Sequence, residues 1–210
     1  MRMRFSFALD HLAVVARTLE EGCAYVEAVL GAEMSAGGEH DQMGTHNKLL
    51  SLGPDVYLEV IAINPDAPKP THRRWFNLDN YDGAPRMMNW ICRTDDLELA
   101  LKEAPAGSGR PMSLTRGDMR WQMAVPEFGR LPYDDACPAL IDWGDSPRPT
   151  GRLPDHGFRL QRLDVFHPAS FELMSDFPAL GRLQSVSVRE GPEKRLIATI
   201  VTPEGNRILA

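Results

Sequence analysis

The sequence predicts an α+β protein in which one β-α-β-β-β unit is followed by a second and then by a shorter β-α-β-β unit. Two observations predict it. Strand-like alternation and a capped amphipathic helix recur in the same order in both halves. A Pro-rich stretch with neither period, NPDAPKPTHRRWFNLDNYDGAP, stands between them. The resulting boundaries are a first unit at 5–63, a linker at 64–86, a second unit at 87–143 and a C-terminal β-rich extension at 155–210. With 210 residues and 43% hydrophobic content, the chain can bury a sizeable core.

Phe5 to Val15 alternates and is rich in Phe, Leu and Val, as a half-buried strand requires. Thr18 and Glu21 make a capping box, and Leu19, Cys23, Val26 and Leu30 form one helical stripe that Gly31 can stop. A short extended piece near Glu33 to Ala36 follows. Asn47 to Leu52 and Val56 to Ile63 then read as strands joined by the turn signal GPD. In the second unit, Met88 to Arg93 reads as a strand. Asp95 caps a short helix with Glu98 in the matching third position and Leu97 and Leu101 inside. Met112 to Leu114, Arg120 to Val125 and Ala139 to Trp143 complete the order. In the extension, Leu160 to Phe166 reads as a strand and Pro168 to Phe177 as a helix. Leu183 to Arg189 and Arg195 to Thr202 read as a hairpin around EGPEK, and a short extended tail ends the chain.

The formal charge is −6 and the Lys and Arg residues are scattered, which argues against a phosphate-binding face for nucleic acid. Cys23, Cys92 and Cys137 form no CxxC, so reduced thiols in a cytoplasmic protein are expected. The opening MRMRFSFALDHLAVVA resembles a secretion signal only until Asp10 and His11 interrupt it. No stretch is apolar for long enough to span a bilayer.

Two polar residues interrupt otherwise apolar strands: His11 in ALDHLAVV and Glu59 in VYLEVIAI. A carboxylate in such a strand needs a cation or a donor. An imidazole and a carboxylate on the first and last strands of one curved unit are a start for a divalent metal site, with His46 as a further imidazole. Strand alternation lets only one of His46 and Asn47 face the same side as the other two. His40 falls in the glycine-rich run GGEHDQMGTHN and reads either as a turn residue or as a ligand contact. Arg74 and Trp75 of RRWF can clamp an anionic or aromatic ligand, or simply tuck the linker into a groove. Trp75, Trp90, Trp121 and Trp143 are candidate walls of an apolar pocket.

The opening LDHLAVV, the run GGEHDQMGTHNKLLSLGPDVYLEVIAINPDAP and the linker RRWFNLD resemble the glyoxalase-like branch of the vicinal oxygen chelate superfamily. The continuation RWQMAVPEFGRLP…CPALIDWGD shares the resemblance more weakly. It implies paired βαβββ modules that curl into half-open mixed sheets around a cupped site. It implies metal ligands on the first and last strands of each module: His11 and Glu59 in the first, and Asn89 and Asp142 at the matching places in the second. Asn89 departs from the metalloenzyme pattern, so classical glyoxalase I activity is not expected. The expectation is a divalent-metal-dependent lyase, isomerase or dioxygenase (Fe, Mn, Zn or Ni) acting on a small oxygenated or carbonyl compound. Glu59 would be catalytic, His11, His46 and Glu59 would hold the metal, and His40, Asn47, Arg74 and Trp75 would contact substrate. The alternative is a metal-independent protein that binds or sequesters a small molecule. A homodimer is expected in either case; no nucleic-acid or membrane partner is.

Overall fold

A computed structural model describes residues 5–210. Arg2 and Arg4 of the signal-like opening lie outside the described residues. The first module comprises β1 (Phe7–Val15), α1 (Leu19–Leu30), β2 (Ser35–His40), β3 (Thr45–Ser51) and β4 (Tyr57–Ile63). The second comprises β5 (Arg86–Thr94), α2 (Leu97–Glu103), β6 (Arg110–Arg116), β7 (Met119–Val125) and β8 (Ala139–Asp142). Both join one eight-stranded sheet in the order β2-β3-β4-β1-β5-β8-β7-β6. β1 runs parallel to β4, β5 runs parallel to β8, and the antiparallel β1–β5 pair joins the modules.

Local chemistry explains most element ends. Thr18 Oγ1 accepts the Glu21 N–H at 3.2 Å, and Gly31 ends α1 in the left-handed conformation at φ 75°. In α2 the cap is Asp96, not Asp95. Its carboxylate accepts the Leu99 N–H at 2.9 Å, while Asp95 accepts the Ser6 N–H at 2.7 Å. The linker is also more ordered than its composition suggests. Trp75–Asn80 forms a 3-10 helix containing two left-handed non-glycine residues, Phe76 (φ 55°) and Asn77 (φ 53°).

The sheet curls so that its outer edges, β2 and β6, come within contact of each other. Gln42 bridges this seam. Its side-chain amide donates to the Ser113 carbonyl at 3.0 Å and accepts the Thr115 N–H at 3.2 Å, as a peptide group on a neighbouring strand would. Helices α1 and α2 cover the convex face over Leu12, Leu58, Val60, Trp90 and Leu140. A second core lines the concave face: Ala13, Val15, Ile61, Ile91, Trp121, Met123 and Ile141, closed by Trp75, Phe76 and Leu78 of the linker.

The C-terminal unit contains β9 (Arg159–His167), α3 (Ser170–Asp176), β10 (Val186–Glu190), β11 (Arg195–Thr202) and β12 (Gly205–Leu209). It forms its own sheet, in the order β10-β9-β11-β12, whose core is continuous with that of the convex face. The expected hairpin of β10 and β11 does not form. β10 pairs parallel with β9 on one side, and β11 pairs antiparallel on the other. The EGPEK stretch carries the chain across the end of β9. A Cβ on Gly191 would lie 2.9 Å from Phe166 Cβ, so the crossing needs glycine there. In the two modules the helix instead delivers the chain to the far edge strand, so the third unit repeats the element order without repeating the topology. Among the described residues no helix is long and apolar enough to cross a membrane.

Candidate active site

The concave face of the first module holds a chain of buried polar side chains. His11 on β1 and Glu59 on β4 face each other, with Nε2 and Oε2 3.5 Å apart. Asp10 and His11 are consecutive, so a regular strand would send them to opposite faces. A bulge prevents this: Leu9 pairs with Cys92 and His11 with Ile91, which leaves Asp10 as the extra residue. Asp10 Oδ1 then lies 2.8 Å from His11 Nδ1, and its Oδ2 accepts the Trp143 indole N–H at 3.2 Å. The carboxylate thus places a proton on Nδ1 and points Nε2 at Glu59.

On the other side of Glu59, Asn47 Nδ2 donates to Oε1 at 2.5 Å, and Asn47 Oδ1 accepts the Gly38 N–H at 2.9 Å. Gly37, the bulged residue of β2, makes room for this amide. A Cβ on Gly37 would lie 2.2 Å from Asn47 Oδ1 and 2.3 Å from its carbonyl oxygen. His40 Nε2 lies 3.4 Å from two nitrogen donors, Asn47 Nδ2 and Arg116 NH1, so it is the accepting nitrogen. Nδ1–H is then left to the Thr45 hydroxyl at 3.0 Å. The run GGEHDQMGTHN is therefore two strands and a turn, with Gly37 and Gly38 set by close packing against Asn47 and Arg116 and Gly44 by a left-handed turn under the linker.

Burial alone would neutralise His11. The Asp10 carboxylate, which accepts the Nδ1–H, and the facing Glu59 carboxylate outweigh it and raise the imidazole from 6.5 to about 9. Burial would also raise Glu59, but His11 and Asn47 pull it down to about 2. His40 goes the other way: burial, opposed by Glu59 and aided by the Arg116 charge, lowers it to about 4. At neutral pH the site therefore holds an imidazolium, a carboxylate and a neutral imidazole. Tyr57 stacks on His11 at 4.5 Å, and Trp75, Phe76, Trp121, Met123, Ile141 and Trp143 wall the cavity above.

The structure brings His11, Glu59, Asn47, His40 and Trp75 together and leaves two expected residues elsewhere. His46 pairs with Ala62 on the opposite strand face from Asn47, so it does not join His11 and Glu59. Arg74 is engaged by Asp79 at 2.6 Å and by the Met43 carbonyl at 2.9 Å, where it pins the linker. Trp90 lies in the convex core and donates to the Ala136 carbonyl at 2.9 Å, whereas Trp121 and Trp143 do wall the cup. Sequence reasoning missed Asp10, Tyr57 and Arg116. Arg116 left no local signal in the sequence; only the fold shows that Gly38 makes room for it, since a Cβ there would lie 2.8 Å from Arg116 Cδ.

The register also corrects the second module. β1 pairs Ala13 with Glu59, and β5 pairs Ile91 with Ala139. With His11 matched to Asn89, the counterpart of Glu59 is Ala139. Asp142 lies three residues further on, on the other face, where it accepts the Gly144 N–H at 2.8 Å. Asn89 is fully buried and both its amide atoms lack a partner. A resident metal would thus have two protein donors, His11 Nε2 and Glu59. Among the described residues no group of three or more His, Cys, Asp or Glu is arranged to hold one. Catalytic zinc sites keep three protein ligands, so this donor set does not fit a resident transition-metal centre.

Paired βαβββ modules around a concave polar site define a protein of the vicinal oxygen chelate class. Within it the chain belongs to the glyoxalase-like domain family, which matches residues 9–180. A solved structure of a hypothetical protein from Staphylococcus aureus shares the fold, with a TM-score of 0.63, 14% identity, and coverage of 90% of this chain and 88% of that one. More distant likenesses are the Mn(II)-bound glyoxalase from Novosphingobium aromaticivorans and methylmalonyl-CoA epimerase from Mycobacterium tuberculosis. The glyoxalase has a TM-score of 0.48 and 9% identity, covering 95% of this chain and 79% of that one. The epimerase has a TM-score of 0.43 and 18% identity, covering 66% and 88%. No protein of curated function matches the sequence.

Proposed function

We propose that this chain is an enzyme that moves a proton on a small oxygenated or carbonyl compound held in the first-module cup, with Glu59 as the base and His11 as the oxygen-binding acid. The observation that carries the reading is the buried His11–Glu59 pair, charged on both sides and 3.5 Å apart. That separation is long for a charge-assisted hydrogen bond, so a ligand oxygen can compete for the His11 N–H. Once His11 turns to the ligand, Glu59 loses its counter-ion and becomes a stronger base at the moment of binding. The C–H electron pair moves into a carbon–carbon double bond and the carbonyl pair moves onto oxygen, where the imidazolium stabilises it. The proton rests on Glu59 and returns to the same carbon, from either face. Asp10 keeps His11 in the required tautomer, and Asn47 holds Glu59 in line.

The test needs no known substrate. Short ketones and oxo acids are incubated with the protein in deuterium oxide, and loss of α-hydrogen signal is followed by NMR, with and without a chelator. Glu59-dependent exchange that survives chelation is expected. Exchange that appears only after manganese, zinc, iron or nickel is added would replace this reading with the metal-dependent one. Exchange in neither condition, together with tight ligand binding, would make the protein a binder.

A further inference from the structure

The charged groups beneath the cup close among themselves, with one exception. Asp10 lies 3.7 Å from Arg148 and 4.0 Å from Arg93, and Asp55 pairs with the same arginines at 3.2 and 3.5 Å. With the His11–Glu59 pair, three anions (Asp10, Asp55, Glu59) meet three cations (His11, Arg93, Arg148). Arg116 is left over. It reaches over from β6 of the second module, across the seam, through the space that Gly38 leaves by lacking a Cβ. It is 9% exposed and has no carboxylate within ion-pair distance among the described residues. Its one hydrogen bond is the 3.4 Å contact with His40, and its Nε has no partner. Trp75, on the facing wall, also carries a buried indole N–H without a partner. A buried unpaired guanidinium is strongly destabilising, so a fold that keeps one in a cavity wall is keeping it for an anion.

We propose that Arg116 is the specificity-determining residue of the cup and that the natural ligand presents it with a carboxylate. A planar carboxylate suits the guanidinium fork. A phosphate dianion beside Glu59 would need further cations that the lining does not supply. Trp75, Phe76 and Trp121 leave a resting cavity of only about 20 Å³, so the body of a ligand must part these aromatic walls as it enters. The inference rests on the proposed function only in its second half: with an oxygen for His11 as well, the ligand is an oxo or hydroxy acid. The cup is thus assembled from both modules, the first supplying the proton chemistry and the second the anion clamp.

The experiment titrates the protein with matched probes: benzoate against benzamide, phenylacetate against phenylacetamide, pyruvate against acetone, and phenylphosphonate. Binding is read by calorimetry and by melting temperature at constant ionic strength. At least about tenfold preference for the carboxylate is expected in the wild type. Arg116→Gln should erase the preference, Arg116→Lys should keep part of it, and Gly38→Ala should weaken it by displacing the arginine stem. Without ligand, Arg116→Gln should melt no lower than the wild type, because it removes an uncompensated buried charge. Glu59→Gln should retain the preference while losing deuterium exchange, so the anion clamp and the proton chemistry fail separately. Equal binding of acid and amide, preference for the phosphonate, or discrimination that survives Arg116→Gln would overturn the proposal. If the glutamine variant does not fold, the wild-type pairs and Arg116→Lys decide it alone.

Discussion

The floors of the two modules share a strand plan and differ in chemistry. On β1 and β4 the first module holds His11 and Glu59, each with partners on both sides. On β5 and β8 the second module holds Asn89, whose amide has none, and Ala139, which has nothing to offer. The strand order is the same in both halves, down to a bulge in each central strand, yet only one floor is charged. Fold duplication therefore does not carry chemistry with it. The second module contributes apolar wall, the Trp143 indole on Asp10 and, from its edge, the charge of Arg116.

The comparison can be broken most directly at Glu59. Glu59→Gln should lower the deuterium-exchange rate by about 10²–10⁴, the range expected when a positioned base is lost. Asn89→Ala should leave that rate within about threefold, because nothing ties Asn89 to the proton chemistry. A comparable loss in both variants would show the floors to be functionally equivalent. A graft tests the donor argument. Asn89→His with Ala139→Glu would give the second floor the pair that the first one has. This double variant should retain a divalent metal through gel filtration, measured by elemental analysis, where the wild type does not. Without metal it should melt lower than the wild type, because the new pair would lack the hydrogen-bond partners that Asp10 and Asn47 give the first one.

The pH dependence of melting sharpens the same contrast. His11 is raised from 6.5 to about 9, so its contribution is complete below 6.5 and is lost as pH rises through about 9. Glu59 is lowered from 4.5 to about 2, so its contribution is complete above 4.5 and is lost as pH falls through about 2. His40 acts in opposition. It stays neutral when folded but charges when unfolded, so it erodes stability between 6.5 and about 4. His11→Gln should flatten the alkaline limb, and Asn89→Gln should leave it unchanged; an identical limb in all three proteins would refute the assignment of the imidazolium. Smaller again, Asn89→Leu should raise stability by about 1 kcal/mol by removing an unsatisfied buried amide. A lower melting temperature instead would mean that the amide has a partner in solution. Smallest, Gln42→Ala should cost about 1 kcal/mol, read from denaturant midpoints.

Much of this architecture is legible in the sequence because it is local. The Thr18 box, the Gly31 stop, the apolar run through Tyr57–Ile63 and the odd Glu59 inside it are short-range signals with one physical reading. The two-module order follows from them. The remainder depends on contacts distant in sequence. A bulge at Asp10 is invisible until β5 sets the register, and without it a DH pair reads as one residue in and one out. Arg116 lies just before the Gly117–Asp118 turn and resembles any surface cation until β2 closes over it. Arg74 looks like the better clamp because it neighbours Trp75, but Asp79, five residues on, takes it. The C-terminal strands alternate so clearly that a hairpin is the natural reading. Only Gly191 marks the crossing, and a glycine in a loop carries no direction.

The side-chain bridge at Gln42 has a consequence for traffic. Every other strand pair in the eight-stranded sheet is held by a backbone ladder, whereas this boundary is held by one amide and one guanidinium. Parting it breaks no ladder, only the two Gln42 hydrogen bonds and the Arg116–His40 contact. The cup would then fill through its side wall while its aromatic roof stayed shut, and an arriving anion would meet Arg116 at the doorway.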